Sequence, residues 1–495
     1  MFYGAKCAFE KTTPMTSFPS LTRTTHPVPL RTERILQFGE GNFLRAFVDW
    51  MIQVMNQQGV MDSGVVVVQP IEQGLVHLLN SQDGLYTLYL TGLKNGIPVR
   101  EPILVDCVQR GLNPYAEFDA FLETARNPEI QFIFSNTTEA GIAFVPKDRL
   151  EDAPPGSFPA KLTRWLWERY QHPESAGNKL AVIPCELIEK NGEMLRQAIL
   201  QYAAHWELPE AFAEWIGNTC SFCNTLVDRI VPGYPKDRIA EIQEELGYDD
   251  KLVVEGEHFH LWVIEAPDWV QQALPADKAG LNVLFPKDLT PYRTRKVRIL
   301  NGAHTAMVPV AYLSGIETVR ETVEDPLVGT FVRDLVYEEI IPTLDLPLSE
   351  LEAFAGDVLD RFRNPFIKHF LISIALNSIS KFETRVLPSL LEYQKRKSEL
   401  PRRIVISLAA LFRFYSGELG ENLIPVNDNA VWVEWFQGMW KKIRQGETTY
   451  MEFVREALSH KAMWGMDLNE VPGLAERTTD CLQAIDQGQL GELIQ

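Results

Sequence analysis

Short apolar runs alternate with stretches of helical periodicity over the first part of the chain. Arg34–Phe38 and Gly64–Val68 are mostly apolar at consecutive positions, which is typical of strands buried on both faces of a parallel sheet. Asn42–Asn56, between them, carries apolar residues at helical spacing. The same patterns predict three more strands and two more helices: Gln131–Ser135, Leu180–Pro184 and Leu261–Ile264, and Ala160–Tyr170 and Met194–His205. This alternation predicts an α/β fold with a doubly wound sheet of the Rossmann type.

The pattern changes near Thr290, where long amphipathic stretches replace the apolar runs. Six of these stretches are predicted helices: Leu327–Ile341, Ser349–Phe362, Ile367–Phe382, Val386–Lys397, Arg402–Tyr415 and Trp432–Arg444. The first thirty residues are rich in Thr, Ser and Pro and show neither pattern. We therefore expect a flexible N-terminal arm over residues 1–30, a Rossmann-type domain over residues 31–287 and a mostly α-helical domain over residues 288–495.

Composition narrows the classes of partner. The chain has a formal net charge of −19, so most of its surface would repel nucleic acid and anionic membranes. No apolar run approaches the roughly 20 residues that a membrane helix needs. The six cysteines lack the spacing of a disulfide framework, which favours a reducing, cytoplasmic location. A small molecule is the expected partner, and an anionic one would need a local positive pocket.

The turn Gly39–Gly41 lies between a predicted strand and a predicted helix, where a dinucleotide pyrophosphate binds in Rossmann-type domains. Small residues there let the backbone approach the phosphates. Two usual signs are missing, because Leu44 replaces the third glycine, and Gln69 and Pro70 follow the second strand where an acidic residue would hold the adenosine ribose. The stretch predicts a nucleotide site without deciding between NAD and NADP.

The stretch Thr290–Pro309 places three reactive side chains within three turns of one predicted helix, which starts at Thr290. Asn301 and His304 share a face, and Lys296 lies a little more than two turns before His304, so all three can border one pocket. A lysine that exchanges a proton near neutral pH needs burial or cationic neighbours. Three arginines are close in sequence: Arg293, Arg295 and Arg298. The alternative is a solvated basic helix face with one histidine in the core.

Polar segments at the ends of predicted elements supply further candidates. Asn191 lies in an Asn-Gly turn after a strand, where its amide can donate to a substrate oxygen or serve the turn alone. Ser135–Gly141 suits a ligand-binding loop or a helix N-cap. Arg361–His369 clusters basic side chains, either as an exposed polar loop or as a grip on a substrate carboxylate. Cys220 and Cys223 have no second pair with zinc-site spacing, so we expect no metal.

Seven segments stand out when they are taken together: FGEGNFLRAFVDW (Phe38–Trp50), QDGLYTL (Gln82–Leu88), SNTTEAGI (Ser135–Ile142), PCELIEKNG (Pro184–Gly192), SFCNTLVDRIVPGYP (Ser221–Pro235), KVRILNGAHTA (Lys296–Ala306) and RFRNPFIKH (Arg361–His369). With them, from about Arg34 nearly to the C-terminus, the chain resembles the polyol-specific long-chain dehydrogenase family, also called the mannitol dehydrogenase family. The resemblance implies a metal-independent, NAD-dependent dehydrogenase with a Rossmann-type N-terminal domain and a mostly helical C-terminal domain.

The resemblance also implies roles for particular residues. The family signature K-x-x-x-x-N-x-x-H falls on Lys296 as the general acid/base and on Asn301 and His304, which would hold the substrate hydroxyl or carbonyl. Asn191 is implied to stabilise the oxyanion. The implied NAD site is the segment Arg34, Ile35, Leu36, Gln37, Phe38, Gly39, Glu40, Gly41, Asn42, Phe43, Leu44 and Arg45. From the basic cluster in an acidic protein we further expect a substrate carboxylate to be recognised by Arg361, Lys368 or His369.

Overall fold

The computed structural model describes residues 18–94, 96–138 and 140–495 of the chain. The chain divides into two compact units. Unit 1 runs up to Leu90 and resumes over Glu101–Lys287, and unit 2 comprises Thr91–Arg100 and Asp288–Gln495. The division after Lys287 coincides with the change from apolar runs to amphipathic stretches in the sequence.

Strands and helices alternate up to Lys287. The strands are β1 (Glu33–Phe38), β2 (Gly64–Val68), β3 (Tyr86–Lys94), β4 (Ile97–Val105), β5 (Val108–Leu112), β6 (Phe132–Ser135), β7 (Leu180–Pro184), β8 (Cys220–Phe222), β9 (Asn224–Asp228), β10 (Val254–Glu257), β11 (Leu261–Glu265) and β12 (Val283–Leu284). The helices are α1 (Asn42–Ala46), α2 (Val48–Gln57), α3 (Val76–Ser81), α4 (Phe118–Arg126), α5 (Phe158–Tyr170), α6 (Pro173–Ala176), α7 (Asn191–His205), α8 (Glu210–Thr219), α9 (Ile239–Leu246) and α10 (Asp268–Ala273).

The largest sheet among the described residues has six parallel strands in the order β5-β2-β1-β6-β7-β8. Successive residues of a strand face opposite sides, so Ile35 and Val65 belong to the core on one face and Leu36 and Val66 to the core on the other. Both faces are therefore covered, which explains why the inner strands β2, β6 and β7 are apolar at nearly every position. Two smaller sheets have the orders β10-β3-β4 and β12-β11-β9.

The five predicted strands are confirmed, with ends that shift by at most one residue. The predicted helix Asn42–Asn56 is instead two helices, α1 and α2. Phe47 leaves the helical conformation between them, with φ −127° and ψ −75°, and its fully buried ring lies 5.6 Å from that of Trp262. Burial of this ring outweighs the continuous helix that the spacing predicts.

The segment before β1 is attached to unit 1. Leu21 is fully buried, and its N–H donates to the carbonyl of Asp249 at 3.1 Å. The guanidinium of Arg23 donates to the carbonyls of Asp106 and Val108, both at 2.9 Å. Residues 19–23 are thus in contact with the rest of unit 1, whereas the flexibility of the arm stays a prediction and its residues 1–17 lie outside the described residues.

From Asp288 onward the chain is mostly helical, as predicted. The α-helices are α11 (Thr290–Arg295), α12 (Gly302–Leu313), α13 (Val319–Glu324), α14 (Val328–Asp334), α15 (Leu348–Phe362), α16 (Leu371–Ile374), α17 (Ser378–Arg385), α18 (Leu387–Lys397), α19 (Arg402–Phe414), α20 (Ala430–Gln445), α21 (Tyr450–Ser459), α22 (Lys461–Trp464), α23 (Leu474–Asp486) and α24 (Leu490–Ile494). Two π-helices span Lys296–Asn301 and Leu335–Ile340, two 3₁₀-helices span Ile341–Thr343 and Leu468–Glu470, and β13 (Glu418–Leu419) pairs with β14 (Asn422–Leu423).

The predicted helix Ile367–Phe382 is wrong as one element. Its first residues are extended, and the backbone there bonds to the segment before α13: Val319 N–H donates to the carbonyl of His369 at 3.0 Å, and Leu371 N–H donates to that of Glu317 at 2.9 Å. The helical remainder is divided between α16 and α17. Backbone pairing with a distant segment replaces the local helix, and periodicity alone does not reveal such pairing.

Candidate active site

The turn Gly39–Gly41 lies at the carboxyl end of β1, where the strand order of the large sheet reverses between β1 and β6. Ligands of doubly wound domains bind at such a point. Gly39 has φ 124°, and a Cβ there would lie 3.2 Å from the carbonyl oxygen of Asn136, so glycine alone fits without strain. At Gly41 a Cβ would meet no described atom within 4 Å. A bare backbone beside open space fits the approach of a dinucleotide's phosphates.

Arg45 braces this turn. Its side chain is 2% exposed; Nε donates to the Glu40 carbonyl at 3.0 Å, Nη2 donates to Asn42 Oδ1 at 2.8 Å, and Nη1 donates to the Leu252 carbonyl. Burial lowers the pKa of the Arg45 guanidinium. Since α1 has only five residues, it offers little of the dipole of a long helix. The backbone N–H groups of the turn are therefore the groups available to phosphates, and Arg45 is a positioning residue.

The predicted cofactor segment Arg34–Arg45 has only its turn at the ligand-binding edge. Arg34 lies at the opposite end of β1, where its guanidinium is 3.6 Å from the Glu129 carboxylate. Five side chains are buried with exposures below 2%: Ile35, Leu36, Gln37, Phe38 and Leu44. The turn at residues 39–43 is thus the part of the segment that lies at the ligand-binding edge, and cofactor contact by Arg34–Arg45 stays a prediction.

Glu186 ties together the two loops at the carboxyl ends of β6 and β7, and no role was predicted for it. Ser135 Oγ donates to Glu186 Oε2 at 3.0 Å, and the N–H and Oγ1 of Thr137 donate to Oε1 at 3.0 and 3.1 Å. Burial raises the pKa of Glu186, and these hydrogen bonds oppose that rise. The helix N-cap alternative for Ser135–Gly141 is wrong, because the next helix begins at Phe158.

Asn191 is fully buried at the start of α7. Its Nδ2 donates to the carbonyls of Pro184 and Glu186 and to Thr225 Oγ1 at 3.0 to 3.1 Å, while its Oδ1 accepts from the N–H groups of Gly192 and Thr225. These bonds engage both N–H groups of the amide. Donation to a substrate oxygen would require Asn191 to exchange one of them, so we describe it as a positioning residue.

In unit 2, Lys296 and Asn301 are the first and last residues of a π-helix between α11 and α12. Hydrogen bonds in a π-helix run from residue i to i+5, so these two residues are one turn apart, closer in register than an α-helix would place them. Short π segments inside α-helices occur frequently at functional sites. Both side chains are partly exposed, which keeps them accessible to a substrate.

His304 lies one turn further along, in α12. Its ring stacks on Phe362 with centroids 4.2 Å apart and meets the ring of His369 edge-on at 5.3 Å. Its Nε2 is buried and has no hydrogen-bond partner among the described residues. Burial lowers the pKa of His304 well below its usual value, and the charges of His369, Arg361, Arg385 and Lys381 lower it further. A neutral imidazole with one unpartnered nitrogen can bind a substrate hydroxyl.

The basic side chains around His304 come from two segments, α15 with the loop after it and α17, and burial lowers the pKa of His369 as well. Arg361 and His369 were predicted as substrate-binding residues, and Lys381 and Arg385 were not. The feature of the sequence that could have indicated the latter two is a pair of basic residues four positions apart near the end of a helix. Burial lowers the pKa of Arg385, and within the described residues its guanidinium has no ion pair or hydrogen bond. Lys368 is exposed, and its ammonium lies 4.9 Å from the Phe370 ring centroid.

The arginines near Lys296 are engaged in packing. Arg295 is 5% exposed, with its guanidinium 4.4 Å from the Phe354 ring and 5.2 Å from the Tyr292 ring. Arg298 Nη1 donates to Ser389 Oγ at 3.0 Å. Arg295 and Arg298 are therefore held by packing and hydrogen bonding, and the role of the face they share with Lys296 stays a prediction.

No group of three or more metal-ligating side chains is placed to hold a metal ion within residues 18–94, 96–138 and 140–495. The cysteines of this part of the chain are buried and unpaired: Cys107, Cys185, Cys220, Cys223 and Cys481. In the same residues, no helix has the length and apolar character needed to cross a membrane.

A glycine turn at the switch point of a Rossmann-type sheet, followed along the chain by a helical unit, fits the class of nicotinamide-dependent dehydrogenases. Comparison with known proteins agrees with this class. The mannitol dehydrogenase Rossmann domain matches residues 33–278, and the mannitol dehydrogenase C-terminal domain matches residues 288–486. The chain belongs to the mannitol dehydrogenase family, and it is an NAD-dependent oxidoreductase that acts on CH–OH groups.

Among its relatives, altronate oxidoreductase of Yersinia enterocolitica is 50% identical over 468 residues, which cover 94% of this chain and 97% of that protein. Altronate oxidoreductase of Escherichia coli O139:H28 is 50% identical over 477 residues, covering 96% and 99%. A solved D-sorbitol dehydrogenase has a TM-score of 0.77 at 21% identity, with coverage of 96% and 100%. Pseudomonas fluorescens mannitol 2-dehydrogenase, solved with NAD and D-mannitol, has a TM-score of 0.62 at 22% identity, with coverage of 97% and 96%. The two solved structures support the fold.

Proposed function

We propose that this protein interconverts D-tagaturonate and D-altronate with NAD in hexuronate catabolism, without a metal ion and with Lys296 as general acid/base. The relatives named altronate oxidoreductase, at 50% identity over almost the whole chain, support the substrate. The five buried, unpaired cysteines support a cytoplasmic location.

The observation that carries the proposal is the group of basic side chains beside His304. Arg361, Lys381 and Arg385 act electrostatically on His304 in a chain whose net charge is −19. A half-buried guanidinium without an ion pair, as at Arg385, favours an anionic ligand, because a carboxylate would restore charge balance. A uronate supplies a carboxylate and an uncharged polyol does not. We propose that Arg361 and His369, which were predicted from the sequence, bind the substrate carboxylate together with Arg385. A contact between Lys368 and the carboxylate stays a prediction from the sequence.

In the proposed reaction NAD supplies the hydride acceptor for altronate oxidation and, as NADH, the hydride donor for tagaturonate reduction. Lys296 gives a proton to the developing alkoxide during reduction and takes it back during oxidation. Asn301, one π turn away, donates its amide to the same oxygen, and neutral His304 binds a neighbouring hydroxyl through Nε2. Positioning and proton transfer then lower the barrier without a Lewis acid.

The test is the rate of NADH absorbance loss with purified protein and a chelator, comparing tagaturonate, fructuronate and fructose at equal concentration. We expect fast loss with tagaturonate that is unchanged by the chelator. A preference for fructuronate or fructose would move the protein to fructuronate reductase or a mannitol/polyol 2-dehydrogenase, the alternatives within the same family. No loss with any of the three sugars would contradict the enzyme assignment and favour a nucleotide-binding regulatory protein.

A further inference from the structure

In the loop after β2, the side chain of Gln69 forms hydrogen bonds within the loop itself. Gln69 occupies the position where dinucleotide-binding domains commonly carry an acidic residue for the adenosine ribose. Its side chain is 2% exposed: Nε2 donates to the carbonyls of Ile71 and Glu72, both at 2.9 Å, and Oε1 accepts from Val76 N–H at 3.4 Å. Gln69 therefore folds its own loop and presents nothing to a ligand.

A carboxylate reaches the same loop from the glycine turn. Glu40 Oε1 accepts a hydrogen bond from Leu75 N–H at 3.2 Å. Gly74 makes this approach possible, because a Cβ there would lie 2.1 Å from Glu40 Oε1. The Glu40 residue is 8% exposed, and its carboxylate accepts hydrogen bonds from Leu75 N–H and from its own backbone N–H. An ionised carboxylate has about four acceptor sites, so these bonds fix it to the loop and still leave acceptor sites for a ligand.

The position of this carboxylate matches that of the missing acid. β1 and β2 are parallel neighbours, and Gly39 N–H donates to the Val68 carbonyl at 3.0 Å, so Glu40 stands where the carboxyl ends of both strands meet. This edge is where an acidic residue binds the adenosine ribose in dinucleotide-binding domains. The segment 69–76 contains neither lysine nor arginine to accept a 2′-phosphate.

We propose that Glu40 recognises the adenosine ribose of NAD and selects against NADP. The Glu40 carboxylate accepts a hydrogen bond from a ribose hydroxyl. A 2′-phosphate would bring about −1.5 to −2 charges next to a carboxylate that has little access to water, and it would remove the hydroxyl donor. Glu40, a residue of the glycine turn, thereby takes the role that an acidic residue after the second strand has in other dinucleotide-binding domains. This inference concerns the cofactor alone and holds whichever sugar is the substrate.

The test is Glu40→Gln, which keeps an amide oxygen for Leu75 N–H and removes the charge. NADH and NADPH are titrated by their fluorescence against the protein without sugar, at constant ionic strength. We expect the ratio of the NADPH Kd to the NADH Kd to fall by at least about 10-fold, since a hydrogen bond to a charged group contributes about 1.5–3 kcal/mol. Glu72→Gln, an exposed carboxylate of the same loop, is the matched control and should leave the ratio within about 2-fold.

An unchanged ratio, with both constants weakened equally, would overturn the proposal and leave Glu40 as a loop brace. So would an equal fall in the ratio for Glu72→Gln, because any negative charge at this edge would then suffice. If thermal unfolding shows that Glu40→Gln does not fold, the same titrations are made with Glu40→Asp, which keeps the charge but moves it back by one methylene. A lower ratio of the NADPH Kd to the NADH Kd then supports the proposal, and the wild-type ratio contradicts it.

Discussion

The glycine turn of unit 1 and the group of side chains around His304 in unit 2 are built from the chain in different ways. The turn takes its shape from consecutive residues, Gly39–Gly41, and Arg45 braces it from a few residues away. The His304 group combines a π-helix and α12 with side chains from α15, the loop after it and α17. A site of the first kind is visible as a motif. A site of the second kind shows only its reacting groups in the sequence, because its walls depend on how distant helices pack.

The two sites also differ in charge. A carboxylate, Glu40, lies at the turn, and Arg45, which braces the turn, is bound to backbone and amide oxygens. Around His304 lie several basic side chains, and they lower its pKa. In a protein that is acidic as a whole, positive charge is thus concentrated where a sugar acid would bind, and the following predictions test that division.

The largest effect is expected for Lys296→Ala. Loss of the general acid/base should lower turnover by at least about 10²–10⁴-fold. NADH affinity should stay within about 2-fold of wild type, because the turn of unit 1 is untouched. Steady-state kinetics and NADH fluorescence titration measure the two quantities, and Lys395→Ala, at an exposed lysine of unit 2, is the control. Near-normal turnover in Lys296→Ala would disprove the assignment.

Arg385→Gln should change recognition of the substrate carboxylate. We expect the KM for tagaturonate to rise roughly 10–100-fold, which corresponds to loss of a charge-assisted hydrogen bond of about 1.5–3 kcal/mol. The KM for an uncharged ketose should change much less. Arg455→Gln, at an exposed arginine paired with Glu476, should leave both constants unchanged. An equal rise for charged and uncharged sugars would mean that Arg385 serves packing alone.

What could be predicted from the sequence follows the same division. Four strands of the large sheet, β1, β2, β6 and β7, were predictable because burial on both faces leaves apolar runs, whereas the edge strands β5 and β8 were not predicted. Gly39 was visible because its turn needs a residue without a side chain. Arg385 was not predictable as a site residue, since its approach to His304 depends on the break of one predicted helix into α16 and α17. The same holds for Glu40, whose contact with Leu75 joins segments that only the sheet brings together.

Phe47 and Asn191 show two further limits. Periodicity predicts a continuous helix through Phe47, and tertiary burial of its ring breaks that helix. The resemblance gave Asn191 a substrate role, and its hydrogen bonds give it a structural one first. A motif identifies which residue is special, whereas its contacts decide what it can do.

Gly39→Ala and Gly41→Ala separate the shape of the turn from its openness. At Gly39 a side chain would require φ 124° and would crowd the Asn136 carbonyl, so we expect a loss of at least about 1 kcal/mol in stability together with weaker NADH binding. Gly41 has φ −66° and open space, so its variant should unfold near the wild-type temperature and still bind NADH more weakly, because a methyl group blocks the backbone. Thermal unfolding and NADH titration distinguish the two. Full NADH affinity in Gly41→Ala would show that the phosphates do not approach there.

The smallest effect concerns a buried carboxyl of unit 1 and contrasts with His304. Asp49 is fully buried; its Oδ2 accepts from Tyr86 OH at 3.1 Å and from Gln37 Nε2 at 3.3 Å, and burial raises its pKa to about 7. The folded state therefore holds a proton on Asp49 that the unfolded state releases at a lower pH, so this contribution to stability is present in acid and lost as pH rises through about 7. For His304 the sign is opposite: its pKa is lowered on folding, so its contribution is lost as pH falls below about 6.5.

Asp49→Asn should remove the pH dependence of stability that is due to Asp49 and leave the one that is due to His304. The side chain keeps its shape and an oxygen for Tyr86 and Gln37, so the fold should persist. Between about pH 6 and pH 8 the wild-type unfolding free energy of unit 1 should fall by about 1 kcal/mol more than that of the variant, since one pKa unit corresponds to 1.36 kcal/mol. Urea unfolding at the two pH values measures the difference, and Asp62→Asn, at an exposed carboxylate of the same unit, controls for surface charge. Identical pH dependence in wild type and Asp49→Asn would mean that Asp49 stays ionised in the fold, and the nearby Arg45 guanidinium would then be its compensating charge.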